Sequence, residues 1–174
     1  NNRLVKYIRI TTETLSGIPS IIYGLFGLLF FVTTLGWGIS ILSGALTISI
    51  MILPLIIRST EEALKSVPDT FREASFGIGA GKLRTVFKIV LPSAIPGILA
   101  GVILAIGRII GETAALLYTS GSVAAVPKNL MGSGRTLSIH MYALSKEGLF
   151  TDQAYATAVI LLLTVLLLNT VASV

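Results

Sequence analysis

The stretch from Thr14 to Ile57, TLSGIPSIIYGLFGLLFFVTTLGWGISILSGALTISIMILPLII, is 44 residues long and carries no charge. A bilayer-spanning helix needs about 20 apolar residues, so the stretch is too long for one. Its weak point is Gly36-Trp37-Gly38, a turn signal around an aromatic suited to the membrane–water boundary. This predicts a first span over Leu15–Leu35 and a second over Ile39–Ile57. Two more uncharged runs, 89–107 and 153–174, predict a third span over Ser93–Tyr118 and a fourth from Gln153 to the end. The fold class is all-α, a polytopic membrane protein.

Composition agrees. The chain of 174 residues is 53% hydrophobic and 12% charged, with a mean hydropathy of +0.89, whereas a soluble domain is about 25% charged. A disordered chain is excluded, and a soluble globular domain is disfavoured. With no cysteine, disulfides and zinc-thiolate sites are excluded, and the single histidine, His140, leaves little for a histidine metal site. The chain opens on Asn1 rather than methionine and stops inside an apolar run. It reads as a piece of a longer protein with spans before residue 1, and no signal peptide opens it.

Lysine and arginine orient the spans. Segments 1–14 and 58–91 fall on one side and carry nine: Arg3, Lys6, Arg9, Arg58, Lys65, Arg72, Lys82, Arg84 and Lys88. The opposite loop, 119–152, carries three: Lys128, Arg135 and Lys146. Loop 58–92 is therefore expected in the cytoplasm and loop 119–152 outside. The net charge of +5 follows from this topology, and nothing in it suggests nucleic acid.

The cytoplasmic segment is the most informative. Ser66, Pro68 and Asp69 form a helix start, with Phe71, Ala74, Ser75 and Ile78 at helical spacing. Gly77, Gly79 and Gly81 break the helix, and Lys82 to Val90 makes a second one stopped by Leu91-Pro92. Such a unit either joins two spans or docks on a partner. Its exact residues decide more. Glu73-Ala74-Ser75, three residues, Gly79, nine residues, Ile89, one residue and Leu91-Pro92 resembles the EAA motif of ABC-importer permeases, with Ser75 in place of the usual alanine. The neighbouring Gly77-Ile78-Gly79-Ala80-Gly81-Lys82 is no phosphate-binding loop: Phe76 stands where the first glycine is required and Leu83 where the magnesium-binding hydroxyl belongs.

Arg108 and Glu112 stand inside the third apolar segment. A charge at the centre of a span costs about 2.5–3.5 kcal/mol on insertion scales, so such residues face protein or a water-filled path. Four apart on a continuous helix, they share a face. A helical wheel puts Gly97, Gly101, Ala105, Arg108, Gly111 and Glu112 on one side and Val102, Ile106, Ile109 and Leu116 on the other. Gly97-x-x-x-Gly101 and Gly107-x-x-x-Gly111 permit close helix approach. Two readings stay open: a neutralised pair that pins helices, or a substrate contact in which the arginine fork meets phosphate or carboxylate oxygens. Arg58 is either a positive-inside anchor or a further anion contact.

Taken together, the residues resemble the permease subunits of the bacterial phosphate-specific ABC importer. The likeness runs through Leu15-Ser16-Gly17-Ile18-Pro19-Ser20, Arg58-Ser59-Thr60-Glu61-Glu62-Ala63-Leu64, the EAA loop and Ala105-Ile106-Gly107-Arg108-Ile109-Ile110-Gly111-Glu112-Thr113-Ala114. It implies a type I importer (MetI-like) transmembrane domain over 1–174, with a coupling loop at 58–92 and about two of six spans lying before residue 1. Implied partners in the bacterial inner membrane are a homologous PstC-like permease, two copies of a PstB-like ATPase and a periplasmic or extracellular phosphate-binding protein. ATP and magnesium would sit on the ATPase, with no cofactor in this chain. Arg108, Glu112 and Arg58 would be the charged residues of phosphate passage. Glu73, Ala74, Ser75, Gly79, Ile89, Leu91 and Pro92 would couple to the ATPase. Transport of sulfate or a related oxyanion, and a proton-coupled carrier using Glu112, are the alternatives.

Overall fold

A computed structural model describes residues 3–148 and 150–172. The described residues form helices and no strand: α1 Arg3–Ser16, α2 Ser20–Thr34, α3 Ile41–Ser66, α4 Asp69–Gly77, α5 Lys82–Gly111, α6 Ala114–Thr119, α7 Leu137–Glu147 and α8 Thr151–Ala172. Three are long and apolar enough to cross a membrane: α3, α5 and α8 up to Val171. Helices α3 and α8 match the second and fourth predicted spans, apart from residues 173 and 174, which lie outside the described residues; α5 overlaps the third but begins earlier, at Lys82, and ends at Gly111.

The first predicted span is corrected. The chain bends by 98° between α1 and α2, at Gly17-Ile18-Pro19, where Pro19 takes an extended backbone and begins a new helix. The Tyr23 hydroxyl donates to Leu15 O across the bend at 2.7 Å. Helix α2 alone is about 22 Å long at 1.5 Å per residue, short of a hydrocarbon core about 30 Å thick. Only as a bent pair do α1 and α2 reach spanning length. Helix α1 lies along α3, where Arg9 forms an ion pair with Glu61, which also holds Lys65 at 2.6 Å.

The turn between α2 and α3 falls where the sequence placed it. Gly36 and Gly38 both have φ near +68°, a conformation that costs glycine nothing, and Trp37 stacks on Phe31. Ser40 then caps α3. The loop after α6 closes over this end: Ser40 N donates to Thr119 O, Ile41 N to Gly132 O and Leu42 N to Leu130 O, each at 2.9 Å. Glycine in this loop serves close approach rather than looseness. A Cβ on Gly134 would stand 2.9 Å from Ile41 Cγ1, and one on Gly121 would collide with Ser133 Oγ. The loop also contains α7, which the sequence reading passed over as coil.

Helices α3 and α5 cross antiparallel on small residues. A Cβ at Gly97 would stand 2.9 Å from Ala63 Cβ, and one at Gly101 would overlap Ser59. Ala63, Val67, Val90 and Ala94 form the buried cluster below this crossing. The first glycine pair therefore has its expected packing role. In the second pair, Gly107 faces Asn169 of α8 at ordinary distance, while Gly111 meets nothing. The Asn169 side chain makes no hydrogen bond among the described residues. Leu91-Pro92 does not end a helix, contrary to the sequence reading. The turn Val86–Val90 is wound wide, with Leu91 N–H on Val86 O, and α5 continues through the proline.

Candidate functional site

Arg108 and Glu112 do not share a helix face. Arg108 lies in the last turn of α5, but α5 ends at Gly111, and Glu112 has an extended backbone with φ −68° and ψ 125°. The third apolar segment is thus α5, a break at Glu112-Thr113, and α6, instead of one helix over Ser93–Tyr118. The break resets the wheel, so Leu116, placed on the lipid side by the sequence, is buried with Ile48 and Ile139.

Glu112 is 8% exposed. Its Oε1 accepts from Ala115 N at 3.1 Å, while its carbonyl accepts from Ser138 Oγ of α7 at 2.7 Å. The first bond satisfies a free N–H at the start of α6, and the second compensates a carbonyl released by the break. Ser138 is 1% exposed and was missed from sequence, since nothing local marks it. Arg108 is exposed and holds no ion pair among the described residues. It faces the Tyr23 phenol of α2 closely enough for its charge to act there. Beside Tyr23, Gly24 lets α2 touch the α6 backbone: a Cβ there would stand 2.9 Å from Ala115 Cα. The ends of α5, α6 and α7 and the middle of α2 therefore meet around this break.

Arg58 stands apart from this cluster. Its Nε donates to Glu62 Oε1 at 3.1 Å, with both side chains exposed. The contacts of Gly97 with Ala63 and of Gly101 with Ser59 set the register of α3 on α5. That register puts Arg108 level with Ile52, about 9 Å along the axis from Arg58.

The second cluster is α4 and its flanks. Glu73 and Ala74 point outward, as do Phe71, Phe76 and Ile78, the last 85% exposed. Gly79, at φ +81°, turns the chain. Ile89 and Leu91 are half-buried and Pro92 is exposed along the first turns of α5. Ser75 is 2% exposed, and its hydroxyl meets that of Thr85 at 2.8 Å. The serine that departs from the usual alanine therefore ties α4 to α5. Arg72, which the sequence reading counted only as a charge, ties α4 to α3. It donates to Leu64 O and Val67 O, both at 2.9 Å, and pairs with Asp69. A cation two turns past a helix end was the available signal, because the last carbonyls of a helix lack partners. The turn Gly77–Lys82 follows a helix, not the strand that a phosphate-binding loop follows.

A family model described as "Binding-protein-dependent transport system inner membrane component" matches residues 1–174. The "Probable ABC transporter permease protein YqgI" of Bacillus subtilis (strain 168) is 38% identical over 188 residues, covering 99% of this chain and 64% of that protein. The "Phosphate transport system permease protein PstA homolog" of Mycoplasma genitalium is 42% identical over 149 residues, covering 82% of this chain and 23% of that protein. The "Phosphate transport system permease protein PstA" of Mycobacterium leprae is 43% identical over 118 residues, covering 66% of this chain and 39% of that protein. The chain thus spans less than two thirds of the length of each of these relatives. No solved structure matches it.

Proposed function

The chain belongs to the inner-membrane components of binding-protein-dependent transport systems, and from that premise we propose that it is the permease subunit of an ATP-driven phosphate importer. Its all-α fold with three or four spans is that of this MetI-like family. Phosphate as cargo is supported by the names of the Mycoplasma and Mycobacterium relatives. The observation that carries the reading in this chain is Arg108, a guanidinium without an ion pair among the described residues, at the broken end of a spanning helix. A buried cation already neutralised would have nothing to offer an anion; Arg108 is exposed and holds no ion pair among the described residues. A single contact of this kind is weak enough to release its ion, which conduction requires.

In this reading α4 is the coupling helix, in the cytoplasm, and the loop between α6 and α8 is external. A partner ATPase, which binds ATP and magnesium, closes on Glu73, Ala74 and the apolar side chains Phe71, Phe76 and Ile78. The displacement passes by Arg72 to the end of α3 and by Ser75 to the start of α5. Since α5 carries Arg108 and ends at Glu112, its shift alters the break where α2, α6 and α7 meet. Phosphate, delivered by a binding protein, passes between this subunit and a homologous permease in an alternating-access cycle. Arg58, exposed and held by Glu62, lies on the cytoplasmic side of Arg108 as a later contact.

The test is uptake of labelled phosphate by the full-length subunit reconstituted with its partner permease, ATPase and binding protein. Uptake should need ATP, resist competing sulfate and fall sharply in Arg108→Gln despite normal assembly. Uptake indifferent to ATP would sink the importer reading. Inhibition by sulfate would change the cargo, and normal uptake in the variant would make Arg108 structural.

A further inference from the structure

The outer loop holds a second guanidinium with an unmet demand. Arg135 Nε is buried and has no hydrogen-bond partner among the described residues, although buried polar groups in native proteins are almost always paired. In sequence, the stretch from Thr119 to Lys146 carries Lys128, Arg135, Lys146 and His140 and no acidic residue, and no ion pair holds Arg135 among the described residues. Arg135 lines a cavity of about 270 Å³ together with Ala124, Val126, Thr136, Leu137 and His140. The Thr136 hydroxyl there is taken by Ser138 Oγ at 2.9 Å and by Ile139 N, which leaves Arg135 and His140 as the side chains facing an incoming ligand. On its other side Arg135 borders a cavity of about 780 Å³ whose wall includes Ile109 and Ile110, the two residues after Arg108.

We propose that Arg135, with His140 beside it, is an outer oxyanion site of this subunit, which receives phosphate before it reaches Arg108. The inference rests on the phosphate reading above. A planar fork of donors matches the oxygens of a tetrahedral oxyanion, which supplies the acceptors that a guanidinium without an ion pair lacks. A concavity of this size suits a small ion, and Lys128 and Lys146, with Arg135 itself, outnumber the loop's two carboxylates, Glu147 and Asp152. The site is firmly placed, because the adjoining Gly134 is fixed on both sides: its N–H donates to Ser120 O and its carbonyl accepts from Ser120 Oγ. A guanidinium on such a backbone is preorganised for its ion.

The experiment uses the full-length importer in proteoliposomes with saturating binding protein and inorganic phosphate, and reads phosphate carried per ATP hydrolysed. Arg135→Gln is compared with Lys128→Gln, which removes one exposed charge from the same loop. Arg135→Gln should lower the ratio by about tenfold with the half-saturating concentration of binding protein unchanged, while Lys128→Gln stays within about twofold of wild type. Arg135→Lys, which keeps charge but loses the fork, should fall between them and decides the matter if the glutamine variant does not assemble. Equal ratios for the Arg135 and Lys128 variants would overturn the site. A raised half-saturating concentration of binding protein with an unchanged ratio would also overturn it, making Arg135 a protein-docking residue. A wild-type importer that carries no phosphate would instead refute the cargo assignment, before Arg135 is at issue.

Discussion

Gly24→Ala tests whether α2 and α6 are held by backbone contact. The added Cβ would stand 2.9 Å from Ala115 Cα, 3.1 Å from Ala114 O and 3.2 Å from Ala115 O. All three neighbours are backbone atoms, so no side chain can rotate away. Carbon atoms pack at about 3.5–4.0 Å, and the helices must part by about 0.6–1 Å to restore that spacing. Overpacking of this kind costs about 1–3 kcal/mol. Glu112 and Ala115 lie on one segment and move together, so the bond from Ala115 N to Glu112 Oε1 is kept and the cost stays at about 1–3 kcal/mol. Gly107→Ala is the comparison. Its Cβ would meet Asn169 Oδ1 at an ordinary 3.5 Å, and alanine in mid-helix gains about 0.5–1 kcal/mol over glycine. The assay is the temperature at which half of the assembled importer is lost from its size-exclusion peak in detergent. Gly24→Ala should lower it by roughly 5–10 °C, and Gly107→Ala should leave it level or raise it. A Gly24→Ala importer as stable as Gly107→Ala would refute the close approach of α2 and α6.

Two further outcomes follow from the break and from α4. Glu112→Gln keeps an oxygen for Ala115 N–H and should hold the wild-type thermal midpoint, while Glu112→Ala strands that donor at a cost of about 1–3 kcal/mol; the reverse order would show that Glu112 does not cap α6. Arg72→Gln removes the guanidinium from Leu64 O and Val67 O, each such bond being worth about 1.5–3 kcal/mol. Phosphate carried per ATP hydrolysed should then drop by about tenfold with ATP hydrolysis maintained, and an unchanged ratio would show that α4 does not act on α3 through Arg72.

The three long spans were legible because the absence of charge over twenty residues has few other meanings in a folded chain. The 98° bend was also written locally, in Gly17-Ile18-Pro19, but a smooth hydropathy profile hid it. The break at Glu112 was not legible in the same way. Glycine is common in membrane helices, so Gly111 alone did not end one, and the groups that satisfy the broken backbone come from elsewhere. Ser138 lies on α7, within loop 119–152, and becomes Glu112's partner only once α7 has folded against it. The charged residues themselves were identifiable from composition. Their geometry was not, because the wheel assumed a continuity that a distant hydroxyl removes. Ser75 shows the reverse case: a departure from a familiar pattern marked the residue, and its reason appeared only when Thr85 was found opposite.

The cap that the loop after α6 puts on the start of α3 constrains the order in which the subunit can be made. Ser40, Ile41 and Leu42 direct their N–H groups to carbonyls of Thr119, Gly132 and Leu130, all of which leave the ribosome after the whole of α5. Chain elongation at about 5–20 residues per second therefore leaves the outer end of α3 unfinished for several seconds after the helix itself has been synthesised. During that interval its first turn depends on Ser40 and on water, and α3 can still shift along its axis. Register between α3 and α5 becomes final only when the Leu130–Gly134 segment arrives, so a chain released before that point would be a substrate for membrane quality control even though its longest helices are complete.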